Sequence, residues 1–155
     1  MSLRRGVLVG AAAGAAGTTA LNAVTYLDMA VRARPTSDTP QTTVEKLAAA
    51  AHLSIPGEGK ARDNRLAGLG PLTGLAAGVG VGALIGLVRS GGWRPGVAVT
   101  CLAATVGALI GSNGPMTVLG VTDPRTWTAS DWASDVIPHL AYGAVTAGVL
   151  TQLDR

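Results

Sequence analysis

Phenylalanine is absent from the 155-residue sequence, and three Trp and two Tyr are its only aromatic residues apart from two His. Charged residues make up 14 %, against about 25 % in an average soluble domain. A soluble core leans on large aliphatic and aromatic side chains, so this composition excludes an ordinary globular domain. Disorder is excluded too, because it needs low hydrophobicity and high charge, and 48 % of this chain is hydrophobic. One cysteine, Cys101, rules out an internal disulfide and any paired-cysteine zinc site. In its apolar run it reads as a small buried hydrophobe. With two histidines, His52 and His139, a bis-histidine haem site requires those two to converge. No Gly-Lys-Ser/Thr phosphate loop, Gly-x-Ser-x-Gly elbow or His-Glu-x-x-His helix occurs. No cofactor, metal site or catalytic residue is therefore assigned.

What is abundant is small. There are 27 Ala and 22 Gly, and charge is strictly partitioned along the chain. Uncharged runs cover Gly6 to Leu27, Leu66 to Val88, Pro95 to Thr122 and Val136 to Leu153. At about 1.5 Å per helical residue, even the shortest reaches roughly 27 Å, close to the hydrocarbon thickness of a bilayer. The pattern predicts an all-α integral membrane four-helix bundle, a single transmembrane domain with spans at about 6–27, 66–88, 97–118 and 136–153. Asp154 closes the fourth run. In the third, a helix from Val97 to Leu109 is expected to give way to a less regular stretch around Ser112-Asn113-Gly114-Pro115. The first run also resembles a secretory signal, with Arg4-Arg5 before an apolar core, but its continuation to Leu27 favours a retained helix.

The hydrophilic loop 28–65 holds 11 of the 21 charged residues. Thr39 followed by Pro40 reads as an N-cap and first helical residue. Val44, Leu47, Ala48 and Ala51 then share one face of a helix ending near Leu53. This predicts an interfacial helix, or a docking surface, followed by a flexible charged link from Glu58-Gly59-Lys60. Trp93, Trp127 and Trp132 read as interface anchors. Thr128-Ala129-Ser130-Asp131 is expected to cap a short helix leading into the last span, which itself starts near Ile137 with Pro138 in its first turn.

Two patterns carry functional information. Gly70, Gly74, Gly78, Gly82 and Gly86 recur every four residues, echoed by Gly10-xxx-Gly14, Gly107-xxx-Gly111 and Gly143-xxx-Ala147. Such stripes let helix backbones approach closely, so a glycine zipper is expected, within one bundle or in a homo-oligomer. The second pattern is polar groups inside apolar runs, which usually face a partner or water. Asn22, Asp28, Asn113, Asp135, His139 and Tyr142 form the candidate polar site. Asp135–His139–Tyr142 could move a proton or bind a ligand, or could tie helices together.

The net charge of +3 is scattered, without the aromatic–basic stripe of a nucleic-acid binder; the expected partner is the lipid bilayer, with a homo-oligomer or larger membrane complex possible. Counting Lys and Arg does not decide orientation, with five on the terminal side, including Arg155, and seven on the other. Arg4-Arg5 and the acidic Trp loop favour cytoplasmic termini in a bacterial plasma membrane.

Several segments resemble a group of small, uncharacterised four-span membrane proteins of actinobacteria. They are Thr18–Asn22 with Thr25–Met29, then Asn64–Pro71, Gly114-Pro115-Met116, and Asp131–Asp135 through His139–Gly143. The resemblance implies a multi-pass membrane protein and adds no enzymatic activity. The leading expectation is a non-catalytic accessory or scaffold protein. The alternative is a small homo-oligomeric channel or transporter with a path lined by Asn22, Asn113, His139 and Tyr142. An enzyme using Asp131, Asp135 and His139 is a weaker third.

Overall fold

The structure is a computed structural model that describes residues 2–153. The expectations resting on Asp154 and Arg155 lie outside the described residues. Five helices follow in order: α1 (Leu3–Arg32), α2 (Thr39–Ala50), α3 (Gly59–Ser90), α4 (Val97–Val118) and α5 (Ala129–Leu153), with a 3-10 turn at Pro124–Thr126. All but α2 are long and apolar enough to cross a membrane. Their outer faces carry Leu8, Leu84, Leu102, Ile110 and Leu140 in exposed positions, an exterior suited to lipid. The architecture is that of a multi-pass membrane protein.

Small residues dictate how the four long helices pack. On α1, Gly6, Gly10 and Gly14 lie against Gly86, Gly82 and Gly78 of the antiparallel α3. A methyl on Gly14 would come within 2.5 Å of the Gly78 carbonyl oxygen, and one on Gly82 within 2.6 Å of the Gly14 Cα. These are backbone atoms, which cannot swing aside, so this approach is open only to glycine. Further along α1, Gly17 meets Tyr142 of α5; on the opposite side of α5, Gly143 lies against the Cys101 carbonyl of α4. Helix α5 is thus wedged between α1 and α4, while α4 meets α3 more sparsely, through Val81 against Gly107 and Gly111 and through Arg89. The core is Ala13, Ile85, Ala104, Ala108, Tyr142 and Leu150.

Four local expectations are corrected. The stretch after Glu58 is not a flexible link: it forms the first two turns of α3, steadied by an Arg62–Glu45 ion pair to α2 at 2.5 Å and by Arg65 donating to the Pro56 carbonyl. Helix α4 runs without a break through Ser112-Asn113-Gly114-Pro115. There Pro115 removes one backbone donor, and side-chain bonds from Ser112 and Asn113 to α5 hold the segment.

The last helix begins at Ala129, not Ile137. Thr128 and Asp131 form a reciprocal cap, Thr128 N donating to the carboxylate at 2.9 Å and Asp131 N to the hydroxyl at 3.2 Å. Pro138 and Asp135 therefore lie inside the helix.

Finally, Thr39 is the first residue of α2 rather than its N-cap, its N–H donating to the Ser37 hydroxyl at 3.1 Å, and the helix ends at Ala50, beyond which His52 takes a left-handed φ of 56° and Leu53 N donates to the Ala48 carbonyl. Of its expected apolar face, Val44 is buried and Leu47 is exposed.

Candidate functional site

The termini of the described chain and the α3–α4 loop share one end of the bundle; α2, the α4–α5 loop and most ionised side chains share the other. At this second end, helix α2 bridges its neighbours. Lys46 donates to the carbonyls of Leu119 (3.0 Å) and Gly120 (2.8 Å), placing a cation on the negative C-terminal end of α4. The preceding residue, Glu45, carries the ion pair to α3. Trp127 and Trp132 pack edge to face with centroids 5.0 Å apart, and Trp127 Nε1 donates to Thr122 at 2.8 Å. Trp93 lies half-exposed at the opposite end. Beside the tryptophan pair, Arg125 donates side-chain and backbone hydrogen bonds to Asp123, which hold that carboxyl below its usual range.

Two polar clusters occupy the helix seams. Between α1 and α5, Arg32 donates to Asp28 (3.3 Å), Ser134 (2.8 Å) and Ser130 (2.7 Å), and Arg34 pairs with the second Asp28 oxygen at 2.5 Å. Val24, Asp28, Arg32, Ser134 and Pro138 line a shallow groove here. Between α4 and α5, His139 Nδ1 lies 2.7 Å from the Asp135 carbonyl oxygen and 3.5 Å from its carboxylate. A carbonyl can only accept, so Nδ1 carries a proton. Nε2 lies 3.1 Å from the Ser112 hydroxyl, within hydrogen-bond reach. Asn113 donates to the Asp135 carboxylate at 2.8 Å, while its own carbonyl oxygen is buried without a partner among the described residues.

A hydroxyl, an imidazole and a carboxylate in that order can in principle activate a nucleophile. Here Ser112 sits within a helix turn, its oxygen also 2.9 Å from the Ala108 carbonyl, and His139 is buried against α4. The groove at Arg32 is lined by other residues of α1 and α5. What this geometry does is fasten α4 to α5.

The candidate residues are thus brought together in part. Asn113, Asp135 and His139 converge, joined by Ser112, whose role the sequence reading missed. The available signal was its position seven residues after Thr105, on the α5-facing side of α4. Asp28 belongs to the neighbouring cluster with Arg32, Arg34 and Ser130. Tyr142 is separate: fully buried, it donates from its hydroxyl to the Gly78 carbonyl at 2.6 Å, crossing from α5 to α3. Asn22 lies on an exposed part of α1 and joins neither cluster. Of the five α3 glycines that recur every four residues, Gly78, Gly82 and Gly86 meet α1, Gly70 meets Pro40 and Gln41 of α2, and Gly74 has open space before it. Among the described residues, no group of three or more His, Cys, Asp or Glu is placed to hold a metal ion. No protein-family model matches the chain, and no curated protein or solved structure is significantly similar to it.

Proposed function

We propose that the protein is a non-catalytic accessory or scaffold protein of a bacterial plasma membrane, with cytoplasmic termini. The observation that carries this reading is the use of polar side chains, buried and exposed, as ties between helices. Tyr142 bonds to Gly78, Thr146 to the Ala13 carbonyl, His139 to Ser112, Asn113 to Asp135 and Arg32 to Ser130 and Ser134. Asn22, Asn113, His139 and Tyr142, expected to line a channel, are divided among three places. In this reading the α1–α3 seam acts as a glycine zipper inside the bundle, and α2 lies along the head-group layer with Leu47 toward lipid.

Native mass spectrometry of the protein extracted from its own membrane, paired with ion flux in reconstituted vesicles, tests the proposal. The expected result is a defined complex with a foreign protein and flux no higher than in empty vesicles. A homo-oligomer whose flux is abolished by Asn113→Leu would overturn it in favour of the channel.

A further inference from the structure

Three prolines lie inside the long helices, and two of them are held. Pro115 sits in the segment of α4 tied to α5 by Ser112 and Asn113, and Pro138 is buried. Pro71 of α3 differs. Pro71 to Ala76 are six consecutive exposed residues, more than a full helical turn, so every face of the helix is open there. Pro71 supplies no N–H to the Ala67 carbonyl one turn back. Among the described residues the side-chain hydrogen bond in this stretch, from Thr73 to the Gly70 carbonyl at 2.7 Å, stays within α3. This is the place where α3 can bend without parting from a neighbour.

The part of α3 before this point is fastened to α2 as one body. Pro40 and Gln41 rest on Gly70, Glu45 pairs with Arg62, and Arg65 donates to the Pro56 carbonyl in the connection between the two helices. Toward α1 the body is joined through residues 34–37, which carry no regular structure. Its polar ties to the rest of the bundle come down to one side chain. Among the described residues, Lys46 alone bonds from residues 36–70 to α1, α4, α5 or the α4–α5 loop, reaching the carbonyls of Leu119 and Gly120. Helix α4 meets α3 directly further along, at Val81 and Arg89.

We infer that residues 36–70 form a hinged arm that swings at Pro71 and is latched against the end of α4 by Lys46. The latch is a cation on backbone carbonyls at the end of the bundle that carries most ionised side chains, so it yields to salt and to loss of the charge. Opening widens the separation of α3 from α4 at that end. The α1–α3 glycine seam, which begins at Gly78, stays in place. The device is independent of the scaffold reading.

Double electron–electron resonance on the full chain in vesicles tests the proposal, on a Cys101→Ser background with spin labels at Ala67→Cys and Val118→Cys, both exposed positions. A second pair, Leu8→Cys with Leu84→Cys, reports on the α1–α3 seam. Lys46→Met should give the first pair a longer-distance component at least three times its wild-type share, while Lys46→Arg, which keeps a cationic donor, should match wild type. Adding Pro71→Ala to Lys46→Met restores an ordinary helix turn and should return the share to the wild-type value. The second pair should not change in any variant. A Lys46→Met distribution equal to wild type would overturn the latch, and a long component that survives Pro71→Ala would overturn the hinge. Lengthening of both pairs together would mean a loosened bundle and no arm. If Lys46→Met does not fold, raising salt from about 0.1 M to about 1 M on the otherwise unchanged chain carries the test. The longer share must then grow with Pro71 present and stay fixed with Pro71→Ala; no growth overturns the inference.

Discussion

Replacing Gly82 by alanine isolates the backbone packing of α1 on α3. The added methyl would sit 2.6 Å from the Gly14 Cα and 2.7 Å from the Gly14 nitrogen, where ordinary contact is 3.4 Å or more. The helices must separate by close to an ångström at this level. Over-packing of this kind costs about 1–3 kcal/mol. A gap of 0.5–1 Å along the rest of the seam forfeits roughly a quarter to a half of each dispersion well, adding a few tenths of a kcal/mol. In water, Gly→Ala inside a helix returns nearly 1 kcal/mol of propensity. In a bilayer both folded and dissociated helices remain helical, so that gain largely cancels. Gly82→Ala should therefore destabilise the bundle by about 1–3 kcal/mol. Gly74→Ala, whose methyl meets open space, should stay within about 0.5 kcal/mol of wild type. Reversible unfolding in mixed micelles, comparing both variants with wild type, gives the two numbers directly. Equal stabilities would refute the argument that the α1–α3 approach is limited by glycine.

Tyr142→Phe removes only the hydroxyl that donates to Gly78 and should cost about 1 kcal/mol in the same assay, while Tyr142→Ala, emptying a fully buried site, should cost about 3–5 kcal/mol. Lys46→Met withdraws the cation from the end of α4; amide hydrogen exchange should quicken at residues 117–122 and stay unchanged near Thr100. For Asp123, the folded carboxyl titrates below the unfolded one, so its pairing with Arg125 is fully present above the ordinary carboxylate range and is lost as pH falls through the lowered folded value. The Arg125 Nε resonance should hold steady from pH 7 to about 4 and move only under more acid conditions; movement centred above that range would contradict the assignment.

The spans were legible because charged residues fall almost entirely between apolar runs, and burying a charge in lipid is costly enough to leave that mark in any sequence. The glycine spacing pointed to close packing of some kind, but echoes on the first, third and fourth spans alike did not say which helix meets which. Prolines misled at two places. Pro115 and Pro138 read as breakers by rules learned in water, yet both sit inside continuous helices, where neighbouring helices and side chains re-satisfy the backbone. The α3 extension was hidden because Glu58 to Arg65 is as charged as a linker, and only its bonds to α2 and to Pro56 show why it winds. His139 and Asp135 were visible as an i, i+4 pair; their partners Ser112 and Asn113 come from another helix, and periodicity within one helix carries no information about that.

The wedging of α5 between α1 and α4 also sets an order of assembly. During synthesis α1 and α3 can close on each other as soon as both are inserted, since their seam is complete in itself. Helix α4 then arrives with little to hold it, because its main packing surface belongs to a segment not yet made. Without α5, Thr105 loses the surface it packs against at Gly143 and Asn113 its bond to Asp135. The α1–α3 seam is therefore largely independent of the last helix, whereas the placement of α4 depends on it.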